Sequence, residues 1–150
     1  MIRQMTRADV PAVKETIDST GLFPSEMLDD MVREVLDGTN QSERWYVVEE
    51  EKPIGVAYFA PERMTQGTWN LYLIAVQSEQ QGRGLGSKLI SQVEAILAAE
   101  GQRILLVETS GNPEFEQTRQ FYLKNGFTQE ARVREFYTKA EDKIVFWKKL

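Results

Sequence analysis

Three glycines at alternate positions, Gly82, Gly84 and Gly86, separate an apolar run at residues 68–76 from an amphipathic stretch at residues 84–100. That junction constrains the fold more than any other part of the chain. Leu85, Leu89, Val93, Ile96 and Leu97 share one face of a helix that stops before Gly101. Beyond it, residues 104–107 are continuously apolar, the pattern of a strand covered on both faces. A strand, a helix and a second buried strand in this order predict parallel neighbours joined by a crossover.

The remaining periodicities surround that unit. Val10, Val13 and Ile17 predict a helix over residues 9–20, with Pro11 in its first turn. After Gly21, Pro24 and a Ser25 cap, Met27, Leu28, Met31, Val32, Val35 and Leu36 predict a helix of about three turns that Gly38 ends. Residues 45–48 and 54–59 read as a hairpin around a polar turn, and 68–76 as a third strand of the same antiparallel run. A helix over 113–125 and strands near 127–137 and 142–149 complete the chain. The fold class is α/β with a mixed sheet: antiparallel N-terminal strands, a central parallel pair and helices on both faces. At 150 residues, 41% of them apolar, one domain over residues 1–150 is expected.

Composition limits the chemistry. The chain has no cysteine and no histidine, which removes thiol nucleophiles, Ser-His-Asp catalysis, the usual zinc sites and a histidine base. Any reaction uses carboxylates, tyrosine, lysine, backbone groups or water, and no metal is expected. The net charge is −5, with the acidic surplus concentrated in the first half, and this disfavours nucleic-acid and membrane partners. The N-terminus lacks the apolar core of a signal peptide and no run is long enough to span a membrane, so a cytoplasmic location is expected.

Alternating glycines allow close backbone approach, and the following helix start offers unpaired N–H groups and the positive end of its dipole, a combination suited to phosphate. The alternative is a tight entry to the helix. The spacing is wrong for G-x-G-x-x-G and for a P-loop, which weighs against a nucleotide-binding domain. It resembles instead the Q/R-x-x-G-x-G/A loop of the GNAT superfamily of acetyl-coenzyme A-dependent N-acetyltransferases, as Gln81-Gly82-Arg83-Gly84-Leu85-Gly86. Residues 121–127, Phe-Tyr-Leu-Lys-Asn-Gly-Phe, resemble that family's F/L-Y-x-x-x-G-F segment, at the matching distance along the chain. The likeness covers roughly residues 43–137.

The resemblance implies that Gln81, Gly82, Arg83, Gly84, Leu85, Gly86 and Ser87 hold the pyrophosphate of acetyl-CoA. It also implies that the pantetheine arm lies in a splay between the central parallel strands, against the backbone of Ile74, Ala75 and Val76. Arg83 reads either as a further phosphate contact or as a solvated loop side chain. Tyr122 matches the family tyrosine beside the thioester sulfur, where a phenol of ordinary pKa about 10 is a proton donor; without the resemblance it is an ordinary core aromatic. Glu108, at the end of a central strand and on the side of Ile104 and Leu106, is the leading carboxylate for the acceptor's proton, with a solvated strand-end role as its alternative. Tyr72 acting through water is a second route. Phe115 and Thr118 stand where many relatives carry Asn and Ala, which removes a usual polar contact to the pantetheine arm. The implied function is direct acetyl transfer to a primary amine of a small molecule or protein, by a monomer or homodimer. A non-catalytic acyl-CoA-binding or regulatory module is the competing reading.

Overall fold

The computed structural model describes residues 1–150. Its strands are β1 (Ile2–Gln4), β2 (Arg44–Glu49), β3 (Pro53–Pro61), β4 (Thr68–Val76), β5 (Ile104–Ser110), β6 (Thr128–Thr138) and β7 (Glu141–Lys149). They form one sheet in the order β1-β2-β3-β4-β5-β7-β6. Every pairing is antiparallel except β4 with β5, the two strands joined by a crossover through α3 (Leu85–Ala99). The mixed sheet with a central parallel pair is therefore as the chain's periodicity predicts.

Helices cover both faces. On one, α3 and α4 (Glu116–Lys124) bury Leu89, Ile90, Val93 and Tyr122 against Phe59, Leu71, Val107 and Phe146. On the other, α1 (Val10–Thr20) and α2 (Leu28–Leu36) bury Val13, Ile17, Leu28 and Val32 against Val47, Val56, Leu73 and Ala75. The cover on this second face is incomplete. α1 packs across β3 and β4, so Leu105 and Val107 of β5 are enclosed while Ile104 and Leu106 remain partly exposed. The expectation that β5 is covered on both faces is thus corrected: its continuous apolar run lies against an open half of the sheet.

Two local readings also change. Ser25 makes no capping hydrogen bond; residues Ser25–Met27 form a single 3-10 turn from which α2 continues. The N-terminal residues, which show no strand pattern, form β1 against β2, with Ile2 opposite Val48. Side-chain chemistry rather than hydrophobic alternation holds β1. The Arg3 guanidinium donates to both carboxylate oxygens of Asp9, at 2.7 and 2.9 Å, and to both of Glu49, at 2.9 and 3.0 Å. Thr6 adds its N–H and hydroxyl to Asp9. No helix is long and apolar enough to cross a membrane.

The hydrogen bond from Arg3, with those from Thr6, holds the Asp9 carboxyl at about 2, below its usual 3.8, against the opposing effect of burial. A depressed carboxylate pKa stabilises the fold above the unfolded value and loses that contribution as pH falls through the folded one. Asp9→Asn should therefore cost about 2 kcal/mol at neutral pH. It should also flatten the fall in melting temperature between about pH 4 and pH 2, as read by thermal denaturation across that range.

Candidate active site

The parallel pairing of β4 and β5 runs only from Thr68↔Ile104 to Leu71↔Val107. Beyond that point β4 stays with β3, through Leu73↔Tyr58 to Val76↔Gly55, and β5 stays with β7, through Glu108↔Val145 to Ser110↔Lys143. The two strands separate and a wedge opens between their C-terminal ends. A bulge in the β3–β4 ladder leaves Tyr72 unpaired at the start of the split, and such an insertion bends the strand that carries it.

Backbone alternation says which groups face the wedge. Gln77 donates to Ile54, so the hydrogen-bonded antiparallel pairs of this ladder include Ala75 with Val56 and Leu73 with Tyr58. The N–H and C=O of Ile74 and Val76 consequently point away from β3, into the split, and those of Ala75 point toward β3. The Val76 carbonyl accepts from Gln81 Nε2 at 3.1 Å. Of the three strand positions read as cofactor contacts, Ile74 and Val76 thus offer backbone groups, and Ala75 contributes its methyl to the α1 side.

The glycine loop leads from β4 into α3 beside this opening. The first intrahelical bond of α3 runs from Lys88 N–H to the Gly84 carbonyl, and no side chain caps the helix. The N–H groups of Gly82, Arg83, Gly84, Leu85, Gly86 and Ser87 donate to nothing in the protein. Gly82 and Gly84 have φ of +81° and +77°, a region that side chains rarely adopt. Gly86 serves packing instead: a Cβ there would lie 3.0 Å from Phe121 Cζ, so its absence lets α4 close against α3. Arg83 is engaged elsewhere, pairing with both carboxylate oxygens of Glu50 at 3.0 and 2.6 Å.

Phe121 connects the loop to Tyr122, whose ring is 5.5 Å from that of Phe146, the residue opposite Val107 on β7. Tyr122 is therefore level with the apex of the split on its helical side. The residue is 5% exposed and its hydroxyl makes no hydrogen bond within the protein. Burial, with neighbouring Tyr137 adding to it, pushes the phenol well above its ordinary pKa and keeps it protonated.

Glu108 is the first residue of β5 beyond the paired segment, on the opposite face of the sheet from Tyr122. Its Oε2 accepts from Asn70 Nδ2 at 3.1 Å and lies 3.4 Å from Lys143 Nζ. Asn70 also donates to Glu62 Oε1 at 2.9 Å, as does the Tyr72 hydroxyl. Burial and the bond to Glu62 push Tyr72 up to about 12, which makes it a proton holder rather than an acceptor. Asn70 and Glu62 were missed by sequence reasoning, although an amide between Trp69 and Leu71 in an apolar strand is a signal. Arg119, also missed, reaches from α4 to the carbonyls of Ser110 and Asn112 at 2.7 and 2.9 Å and secures the end of β5.

A mixed sheet with a split parallel pair beside an uncapped glycine-rich helix start is the arrangement expected from the chain's resemblance to the GNAT superfamily. Residues 41–129 match the family model described as an acetyltransferase (GNAT) domain, and the chain belongs to that family. The structure superimposes on a GNAT-family protein from Desulfovibrio desulfuricans with a TM-score of 0.91 and 30% identity, covering 99% of this chain and 98% of that one. It superimposes on an aminoglycoside 6'-N-acetyltransferase complexed with coenzyme A at 0.77 and 18% identity, covering 99% and 96%. For the ribosomal-protein-S18-alanine N-acetyltransferase from Escherichia coli the values are 0.79 and 19%, covering 99% and 92%. No curated protein matches the sequence.

The different duties of the glycines are separable. Gly86→Val should destabilise the fold by about 1–3 kcal/mol through overpacking against Phe121. Gly82→Ala meets open space and should cost only the strain of its left-handed backbone, about 1–2 kcal/mol. Reversing the Gly86 loss with a Phe121→Leu partner, but not the Gly82 loss, in denaturant titrations is the expected pattern.

Proposed function

We propose that the chain is an N-acetyltransferase that moves an acetyl group from acetyl-CoA directly to a primary amine, on a small molecule or a protein. The observation that carries this reading is the row of six partnerless N–H groups from Gly82 to Ser87 beside a backbone split open at Ile74 and Val76. The residues fit the cofactor: fixed N–H dipoles at a helix start suit a pyrophosphate, and an unpaired strand edge suits the amides of a pantetheine arm. The attraction is local, so a chain of net charge −5 can hold a polyanion. Arg83 contributes by tying the loop to the β2–β3 turn through Glu50 rather than by contacting phosphate.

Bound acetyl-CoA supplies the acetyl carbon, whose bond to sulfur breaks as the bond to the acceptor nitrogen forms. Tyr122 donates its phenolic proton to the departing thiolate. Glu108 takes the proton that the acceptor nitrogen must lose, directly or through one water. Asn70 positions that carboxylate by donating to it, and Tyr72, bonded to Glu62, bounds the acceptor side. An ammonium's first proton passes through Glu108 to solvent before attack, and the proton the nitrogen sheds as the amide forms replaces the one that Tyr122 gives to the thiolate, so each turnover releases one proton. The aminoglycoside and ribosomal-protein enzymes of the same fold indicate the range of amines the architecture serves.

Acetyl-CoA at about 100 times its Kd should stabilise the protein by about 2.7 kcal/mol and raise Tm by roughly 5–10 °C. Gly84→Val should lose most of that rise, because the loop cannot then present its N–H groups from a positive φ. An unchanged rise in a folded Gly84 variant removes the phosphate cradle.

Tyr122→Phe should keep both stability and acetyl-CoA binding, since the hydroxyl lacks a protein partner, while slowing single-turnover transfer by about 10²-fold or more. Glu108→Gln should slow transfer most for strongly basic amines and recover partly at high pH, where solvent supplies the neutral amine. Wild-type rates in both variants exclude these roles. Binding of acetyl-CoA without turnover of any amine would favour the non-catalytic module.

A further inference from the structure

The acceptor side of the split is built from carboxylates that lack cations. Glu62 and Glu43 are partly buried and neither forms an ion pair; their hydrogen bonds come from neutral donors, Asn70 and Tyr72 for Glu62 and the Tyr58 hydroxyl at 2.9 Å for Glu43. Only Lys143, on Glu108, offsets this end of the path. The Tyr58 and Tyr72 rings join the two carboxylates, with centroids 5.5 Å apart, and Tyr58 stacks on Trp45 at 4.4 Å.

Beyond Tyr58 the path enters a cavity of about 350 Å³ lined by Asp30, Met31, Arg33, Glu34, Glu43 and Tyr58. Arg33 is paired with Asp30, which leaves Glu34 and Glu43 uncompensated. At the other end stands Asn70, 1% exposed, between Glu62 and Glu108, with its Oδ1 enclosed and without a partner. The amide holds the two carboxylates at this end of the path in place through its Nδ2 hydrogens. The carboxylates are strung along a path rather than gathered, and no group of three can hold a metal ion. That layout suits a chain with spaced positive charges.

We propose that the acceptor is a linear amine carrying at least one further ammonium group. The nitrogen to be acetylated lies beside Glu108 and Asn70. Its methylene spacer runs over Tyr72 and Tyr58, and the trailing ammonium reaches Glu43 at the mouth of the cavity. Ammonium groups have only donors, which matches a corridor of acceptors, and aromatic faces favour cations and their methylenes. The proposal rests on the acetyl-transfer reading and assigns its substrate class.

The test compares spermidine with propylamine in a thiol-release assay with acetyl-CoA. Spermidine should be preferred in kcat/KM, and Glu43→Gln and Glu62→Gln should each reduce the spermidine-to-propylamine ratio by about tenfold or more. Raising ionic strength should also reduce it. Glu51→Gln, exposed in the β2–β3 turn, should leave the ratio unchanged. Calorimetric titration of spermidine into the complex with CoA reads binding apart from chemistry. It also keeps the test decisive if Glu62→Gln, which strips partners from Asn70 and Tyr72, fails to fold. Failure of acetyl-CoA to stabilise the protein overturns the acetyl-transfer reading and this proposal with it. Acetyl-CoA binding with no spermidine binding overturns this proposal alone. So does a ratio near one, or a ratio indifferent to Glu43→Gln.

Discussion

The rest of the site depends on a limit to backbone pairing. β4 and β5 share hydrogen bonds only as far as Leu71 and Val107, and the bulge at Tyr72 falls at the next residue. A fully paired sheet would leave no unsatisfied strand edge in the interior and no passage between its faces. Because each strand keeps its outer partner, β3 or β7, the separation costs only the bonds between the two. The backbone groups of Ile74 and Val76 face the opening, the Val76 carbonyl accepting from Gln81 Nε2, and a core on either side holds them. Buried backbone groups of this kind require partners, and the proposed function supplies them from an amide-bearing cofactor arm.

The bulge has a second effect. Side chains alternate along a regular strand, but Leu71 packs under α3 while Leu73 packs under α1, two residues later on the opposite face. The extra residue changes the phase. Tyr72 is thereby left on the open side with Asn70, where it meets Glu62 and Tyr58. One insertion thus bends β4 away from β5 and also places an aromatic wall on the acceptor side. The apolar run of β5 lacks cover on one face for a different reason, the placement of α1 over β3 and β4. Ile104 and Leu106 lie beyond the reach of α1, on the half of the sheet that the site uses.

Much of this was legible in the sequence because the signals were local. The glycine spacing, the helix behind it and the Phe-Tyr segment marked the loop and Tyr122, and simple periodicity placed six of the seven strands. β1 was not legible, since three residues give too short a pattern and its anchor, Arg3 on Asp9 and Glu49, spans 46 residues. The phase change at Tyr72 was equally hidden: nothing in a run of nine strand formers announces where its partner will skip a residue. Asn70 and Glu62 come together only through the β3–β4 turn and the register it sets. Arg83 is a half-exposed loop side chain whose partner, Glu50, lies 33 residues away, which no local pattern discloses. Contacts set by register and long-range pairing were the ones the sequence did not disclose.

The split also divides the site by polarity. On the helical side are donors: six backbone N–H groups and a phenol that burial keeps protonated. On the open side are acceptors: Glu62, Glu108 and the enclosed Asn70 carbonyl oxygen. An anionic ligand is favoured on the first side and repelled from the second, and a cationic one experiences the reverse. Neither preference needs a large net charge, because each is created by oriented groups close to where the ligand lies. On the proposed function, two reactants of opposite charge would be sorted to opposite faces and would meet at the apex of the wedge. Tyr122 stands on the helical side of that apex and Glu108 on the open side, so a proton given on one face and a proton taken on the other need not compete for the same group.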